Sequence, residues 1–195
     1  YVLTGDGELQ EGQFWESLVS AVNNNFHELT VIIDHNKLQS DTLVSKVSDL
    51  GDLEAKLTAF GWHVSRCDGN NLSAFSSLLN SISDVTDRPK IIIADTVKGK
   101  GVSFMEHTSI DSDVELYKYH SGAPSGDAYV NASQELIDSI NSKLEKLGLD
   151  RVELDSVERP SVQIADRPQR LVTAYTESLL KQAENNQNLV ALDAD

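Results

Sequence analysis

The chain has 195 residues, 39% hydrophobic and 24% charged, with only 11 Gly and 4 Pro; this suits one sizeable core with or without part of a second, and excludes a disordered chain. Its 31 acidic against 16 basic residues leave a formal charge of −15, which repels polyanions and sets aside nucleic acid and anionic membranes as partners. Cys67 is the single cysteine, so neither an intrachain disulfide nor a cysteine-based zinc site is available, and no apolar run approaches the roughly 20 residues of a membrane helix. No signal peptide is read at the start, so a cytoplasmic protein is the expectation.

From residue 1 to about 96, strand-like and helix-like segments alternate. Tyr1–Thr4 reads as a strand leading into Gly5-Asp6-Gly7. Phe14, Leu18, Val19 and Val22 follow at helical spacing, and Leu29–Asp34 is a continuous apolar run ending on an acid. Leu53, Leu57 and Phe60 share one face of a second helix stopped by Gly61, and Trp62–Cys67 is the next strand, with Cys67 read as a buried packing residue. Leu72, Phe75, Leu78, Leu79 and Ile82 mark a third helix ending before Pro89, and Lys90–Thr96 supplies a fourth strand. Apolar strands alternating with helices imply an α/β fold: a doubly wound, mostly parallel sheet flanked by helices on both faces.

Residues 102 to about 130 read as a long loop, and Gln134–Leu147 as an amphipathic helix stopped by Gly148. The stretch 151–168 is charged, holds two prolines and lacks periodicity, as an interdomain linker does. Leu171, Tyr175, Ser178 and Leu179 then begin a new helix, followed by a turn and a last strand toward Asp195. The domain expectation is 1–150, a linker 151–168, and the beginning of a second domain at 169–195. Both termini fall inside strand-like runs, so truncation at both ends is expected.

Ligands of open parallel sheets bind at the carboxyl ends of the strands. Here those ends are Gly5-Asp6-Gly7, Asp34-His35-Asn36-Lys37-Leu38, Asp68-Gly69-Asn70-Asn71 and Lys98-Gly99-Lys100-Gly101. Glycines at a strand-to-helix junction let a phosphate approach the backbone, although Gly-Asp-Gly alone is also a common turn. Asn36 follows Gly7 after about 28 residues, a separation that one helix and one strand convert into neighbouring loops. One carboxylate, one amide oxygen and a nearby carbonyl form a hard, oxygen-only half-site, which suits Mg²⁺ completed by phosphate oxygens.

Gly-Asp-Gly, the spacing and Asn together resemble the thiamine diphosphate signature. The run Gly5-Asp6-Gly7-Glu8-Leu9-Gln10-Glu11-Gly12 with Trp15-Glu16 is similar to its transketolase form. Further matches follow in order: Asp34-His35-Asn36-Lys37-Leu38-Gln39, Phe60-Gly61-Trp62 with Asp68-Gly69, and Thr96 through Glu106. The resemblance implies that Asp6, the Asn36 side chain and the Leu38 carbonyl ligate magnesium, and that Gly5 and Gly7 contact the diphosphate. It places Lys98 near the diphosphate, and Glu11, grouped with the cofactor-binding residues, at an acidic position near a subunit contact; an exposed first-turn residue is the other reading of Glu11. His120 is the implied catalytic histidine, although one extra residue, Ser121, separates it from Gly122 where the family has His-Gly. His35 neighbours the metal loop, whereas His27, His63 and His107 default to surface or packing.

The implied enzyme is a transketolase moving a two-carbon ketol unit between sugar phosphates, with thiamine diphosphate and Mg²⁺ as cofactors and a homodimer as the complete protein. The glutamate that activates the cofactor and further histidines would lie outside this chain, so the isolated fragment is expected to be inactive. Two other readings stay open: a related thiamine enzyme such as 1-deoxyxylulose-5-phosphate synthase, and a nonenzymatic module retaining the fold. A plain dinucleotide-binding fold would need Gly-x-Gly-x-x-Gly, which Glu8-Leu9-Gln10 after Gly7 does not supply.

Overall fold

The computed structural model describes residues 1–107, 116–121, 124–155, 170–186 and 188–189. The chain divides into two compact units, Tyr1–Val152 and Glu153–Asp195. In chain order the first unit runs β1 (Val2–Gly5), α1 (Gly12–Asn23), β2 (Thr30–His35), the hairpin strands β3 (Leu38–Gln39) and β4 (Thr42–Leu43), α2 (Val44–Ser48), α3 (Leu53–Ala59), β5 (His63–Asp68), α4 (Leu72–Ser81), β6 (Lys90–Asp95) and α5 (Gly126–Lys146). The described part of the second unit carries one helix, α6 (Leu171–Asn185).

The main sheet has the order β1-β2-β6-β5, and its three pairings are all parallel. The chain moves across the sheet from β1 to β2 to β5, then turns back to insert β6. Right-handed crossovers put the helices of forward steps on one face and that of the reversed step on the other. The packing follows this rule. Val31, Ile33, Ile91 and Ile93 point to the face where Leu18 and Ala21 of α1, Leu53 and Leu57 of α3, Leu9 and Trp62 build the buried core. Ile32 and Ala94 face the other way and line a cleft with Phe75 of α4. At about 25 cal/mol per Å² of apolar surface, each fully buried Ile or Leu of the core stabilises the fold by about 1.5–3 kcal/mol before the entropy of ordering it is counted.

Local chemistry explains where the elements begin and end. The Asp52 side chain accepts the Ala55 N–H at the start of α3, and the Asn71 side chain accepts the Ala74 N–H at the start of α4. Gly61, at φ 90°, carries the chain out of α3 through a conformation that side chains disfavour. The indole N–H of Trp62 donates to the Leu18 carbonyl at 3.1 Å, tying the next strand to α1. Lys90 is buried at the far end of the sheet, where its ammonium donates to the carbonyls of His27 and Val85.

Two sequence expectations change. The helix expected at Gln134–Leu147 starts eight residues earlier, at Gly126, with the Ser125 hydroxyl accepting the Ala128 N–H. Its first turns are mostly polar or exposed and carry no apolar period, so the expected loop is correspondingly shorter. Cys67 is half-buried, because β5 is an edge strand with one side unpaired. In the second unit the helix begins at Leu171 as expected, while the expected last strand lies outside the described residues apart from Leu189, as does most of the expected linker. Among the described residues no helix is long and apolar enough to cross a membrane.

Candidate functional site

Strand register brings the polar loops to one edge. Gly5 pairs with Asp34, Asp34 with Ala94, and Asp95 with both His35 and Asp68. β1 and β2 are direct neighbours, so the loops carrying Asp6 and Asn36 leave the sheet side by side.

Asp6 is 1% exposed at the end of β1. Its backbone N–H donates to the Asp34 carbonyl at 3.1 Å, and its Oδ2 accepts the Lys37 N–H at 2.5 Å. Lys37 reaches it through a left-handed backbone, φ 67°. The other oxygen, Oδ1, is buried without a hydrogen-bond donor. Burial pushes the Asp6 carboxyl above the ordinary range, opposed by the Lys37 N–H, by His35 and by the Gly7 N–H. A buried carboxylate with one unanswered oxygen is costly unless a cation or donor meets it.

Asn36 is 8% exposed and held at both ends: its Nδ2 donates to Asp34 Oδ2 and its Oδ1 accepts the Leu38 N–H, each at 2.9 Å. Leu38 is buried and pairs with Leu43 in the small hairpin that closes the loop. Gly7 lies against this hairpin, since a Cβ there would stand 3.1 Å from both Cβ and Cγ of Gln39. Gln39 Oε1 is likewise buried and without a partner. The Gly5 N–H is taken by the Glu8 carboxylate at 2.6 Å, so Glu8 folds back over the loop for which the family resemblance implies a diphosphate contact. Glu11 is exposed at the start of α1 and makes no side-chain cap bond.

Lys98 and His120 come together although 22 positions separate them. Lys98 Nζ donates to His120 Nδ1 at 3.1 Å and lies 5.5 Å from the centre of the Tyr117 ring. His107, expected only at the surface or in packing, fixes the backbone beneath: its Nδ1 accepts the Lys98 N–H at 2.7 Å, and its own N–H donates to the Lys98 carbonyl at 3.3 Å. Gly99 is obligatory in this loop, because at φ 80° a Cβ would stand 2.2 Å from the Met105 carbonyl oxygen. Lys98 lines a cleft of 520 Å³ together with Asp34, Thr96, Asn70 and Lys100. A second cavity, of 340 Å³ beside α1, has no charged side chain in its lining.

Sequence reasoning missed three participants. Asp95 accepts a two-point bond from Arg66, at 2.6 and 2.8 Å, and lies 2.7 Å from His35 Nδ1, which holds its carboxyl down to about 2. Thr96 donates its hydroxyl to Asp34. The available signal was that the apolar runs of β2 and β6 are each followed by a polar pair containing an acid, Asp34-His35 and Asp95-Thr96. Among the described residues no group of three or more His, Cys, Asp or Glu is placed to hold a metal.

A parallel α/β sheet with polar loops gathered at its carboxyl edge, and a buried carboxylate beside a buried amide there, defines a cofactor-binding domain of the open-sheet class. Residues 1–143 match the transketolase family model for the thiamine diphosphate binding domain, and the chain belongs to that family. It is 35% identical over 146 residues to one subunit of the apulose-4-phosphate transketolase of Phocaeicola vulgatus, covering 75% of this chain and 49% of that relative. It is 27% identical over 203 positions to human transketolase, covering 100% of this chain and 31% of that protein. The crystal structure of Campylobacter jejuni transketolase is similar over 76% of this chain and 20% of that one, with a TM-score of 0.54 and 25% identity. The chain thus spans about half the length, or less, of these curated relatives.

Proposed function

We propose that this chain supplies the magnesium–diphosphate half of a transketolase site, in a protein that transfers a two-carbon ketol unit between sugar phosphates. The observation that carries the reading is Asp6 Oδ1, a buried carboxyl oxygen with no hydrogen-bond partner, near the buried Asn36 amide. The residues fit the metal. Asp6, Asn36 Oδ1 and the Leu38 carbonyl are hard oxygen donors of low total charge, and Mg²⁺ binds through a few such groups plus phosphate oxygens. Thiamine diphosphate, held there, would supply the chemistry by which a two-carbon unit is carried from donor to acceptor.

The chain's own residues bind and orient. Asp6 and Asn36 hold the cation that neutralises the diphosphate, and Gly5 and Gly7 keep side chains away from the phosphates. Lys98 adds positive charge, while His120 faces the substrate side and donates or accepts a proton there. The Lys98 ammonium donates to His120 Nδ1, which leaves the His120 proton on Nε2. Glu11 belongs to the subunit contact near the cofactor. Residues 1–150 form the diphosphate-binding domain, 151–168 a linker and 169–195 the start of the pyrimidine-binding domain of a cytoplasmic homodimer.

Isothermal titration of thiamine diphosphate with and without Mg²⁺, on the wild type and on Asp6→Ala and Asn36→Ala, tests the reading. Magnesium-dependent binding that disappears in both variants is expected. Absence of magnesium-dependent binding in the complete protein overturns the proposal.

A further inference from the structure

An amide ligates a cation through one end only. The oxygen and nitrogen of Asn36 are close in size, so something other than shape must decide which end faces the metal position. Two flanking groups of opposite character do so. Asp34 Oδ2 is an acceptor and takes the Nδ2–H at 2.9 Å; the Leu38 N–H is a donor and takes Oδ1 at 2.9 Å. Turning the amide over would set oxygen against carboxylate and N–H against N–H, losing both bonds and adding two repulsions.

Asp34 is itself held. Its Oδ1 accepts the Thr96 hydroxyl, its backbone carbonyl accepts the Asp6 N–H at 3.1 Å, and its neighbour's carbonyl, on His35, accepts the Thr96 N–H at 3.3 Å. Thr96 in turn packs on the Gly69 backbone, where a Cβ would stand 2.6 Å from its Cγ2. Asp34 thus reaches the loop of Asp6 through its backbone carbonyl and the Asn36 amide and Thr96 through its carboxylate, which is fixed from the neighbouring strand.

We propose that Asp34, supported by Thr96, is a positioning residue that fixes the Asn36 amide with its oxygen toward the metal. This rests on the metal reading of Asp6 and Asn36. Outer partners of this kind typically change metal affinity 10–100-fold when removed.

The test uses the complete protein with thiamine diphosphate and Mn²⁺ as a paramagnetic stand-in for Mg²⁺, free Mn²⁺ being counted by electron paramagnetic resonance. Melting of the metal-free protein is recorded beside it. Asp34→Ala, which removes the acceptor of the Asn36 Nδ2–H, is expected to weaken Mn²⁺ binding about 10–100-fold. Asp34→Asn, whose amide oxygen can still accept that N–H, is expected to restore most of the affinity. Thr96→Val, which removes only the hydroxyl bond, is expected to weaken Mn²⁺ binding by a smaller factor, about 3–10-fold. Mn²⁺ affinity in Asp34→Ala within about threefold of the wild type overturns the inference. So does a fall in metal-free melting for Asp34→Ala combined with unchanged Mn²⁺ affinity in Thr96→Val, which would make Asp34 a structural residue alone. Failure of the wild type itself to take up Mn²⁺ with the cofactor defeats the underlying metal reading as well, and is distinguishable because the variants then have nothing to lose.

Discussion

The Asp6–Asn36 pair and the Lys98–His120 pair stand at the same sheet edge and are built in opposite ways. The first is buried, spans two adjacent strands, and has its amide held at both ends and its carboxylate held at Oδ2. The second has an exposed His120 and a half-buried Lys98, comes from two loops, and joins through one Lys–His hydrogen bond. Buried polar groups that directly follow paired strands have their geometry fixed by the strands, whereas groups brought together by longer loops keep more access to solvent. A buried site fails when a polar group is lost, whereas an exposed pair weakens by degrees.

That contrast can be broken or sharpened by measurement. The largest expected effect separates the two regions directly. Asn36→Ala should weaken Mn²⁺ binding more than about 100-fold, whereas His120→Ala should leave it within about threefold, both read by Mn²⁺ titration with cofactor present. Equal losses would show that the basic pair belongs to the metal site itself. Next in size, Gly99→Ala should cost about 2 kcal/mol or more in urea unfolding, because the strained backbone and the Met105 carbonyl leave no room for a methyl group. The same variant should weaken diphosphate binding by displacing Lys98, with metal affinity much less affected.

The smallest effect lies in the Arg66–Asp95–His35 cluster. Asp95 titrates at about 2 in the fold against an ordinary value of 3.8. A carboxyl lowered by folding adds stability that is fully present above about pH 4 and is lost as pH falls toward 2. Because Asp95 and Arg66 are more than a third exposed, solvent screening limits the gain to about 1 kcal/mol or less. Thermal melts from pH 5 to pH 2.5 should show a steeper acid loss for the wild type than for Asp95→Asn. Identical slopes would remove the cluster from the stability of the sheet edge.

Much of this was legible in advance, for identifiable reasons. Apolar runs such as Thr30–Ile33 and Ile91–Ala94 announce strands buried on both faces, and the acids that follow them mark the polar edge. Gly61 and Pro89 punctuate the second and third helices because their backbones allow little else. The first turns of α5 were not legible, since their apolar residues are exposed and have no face to repeat. Thr96 and Arg66 looked like ordinary strand residues, and only their partners on other strands give them a role.

The sequence by itself determined the alternation of strands and helices, the acidic surface, and the positions at which Asp6, Asn36 and Lys98 leave the sheet. It did so because burial period, turn residues and charge are local properties of the chain. Only the tertiary structure decided that β6 inserts between β2 and β5, that Asp6 keeps one oxygen unanswered, and that Asp34 holds the Asn36 amide by its nitrogen. Each of these depends on which groups meet across tens of residues, and hydrogen-bond polarity between such groups is settled only when the strands are in register.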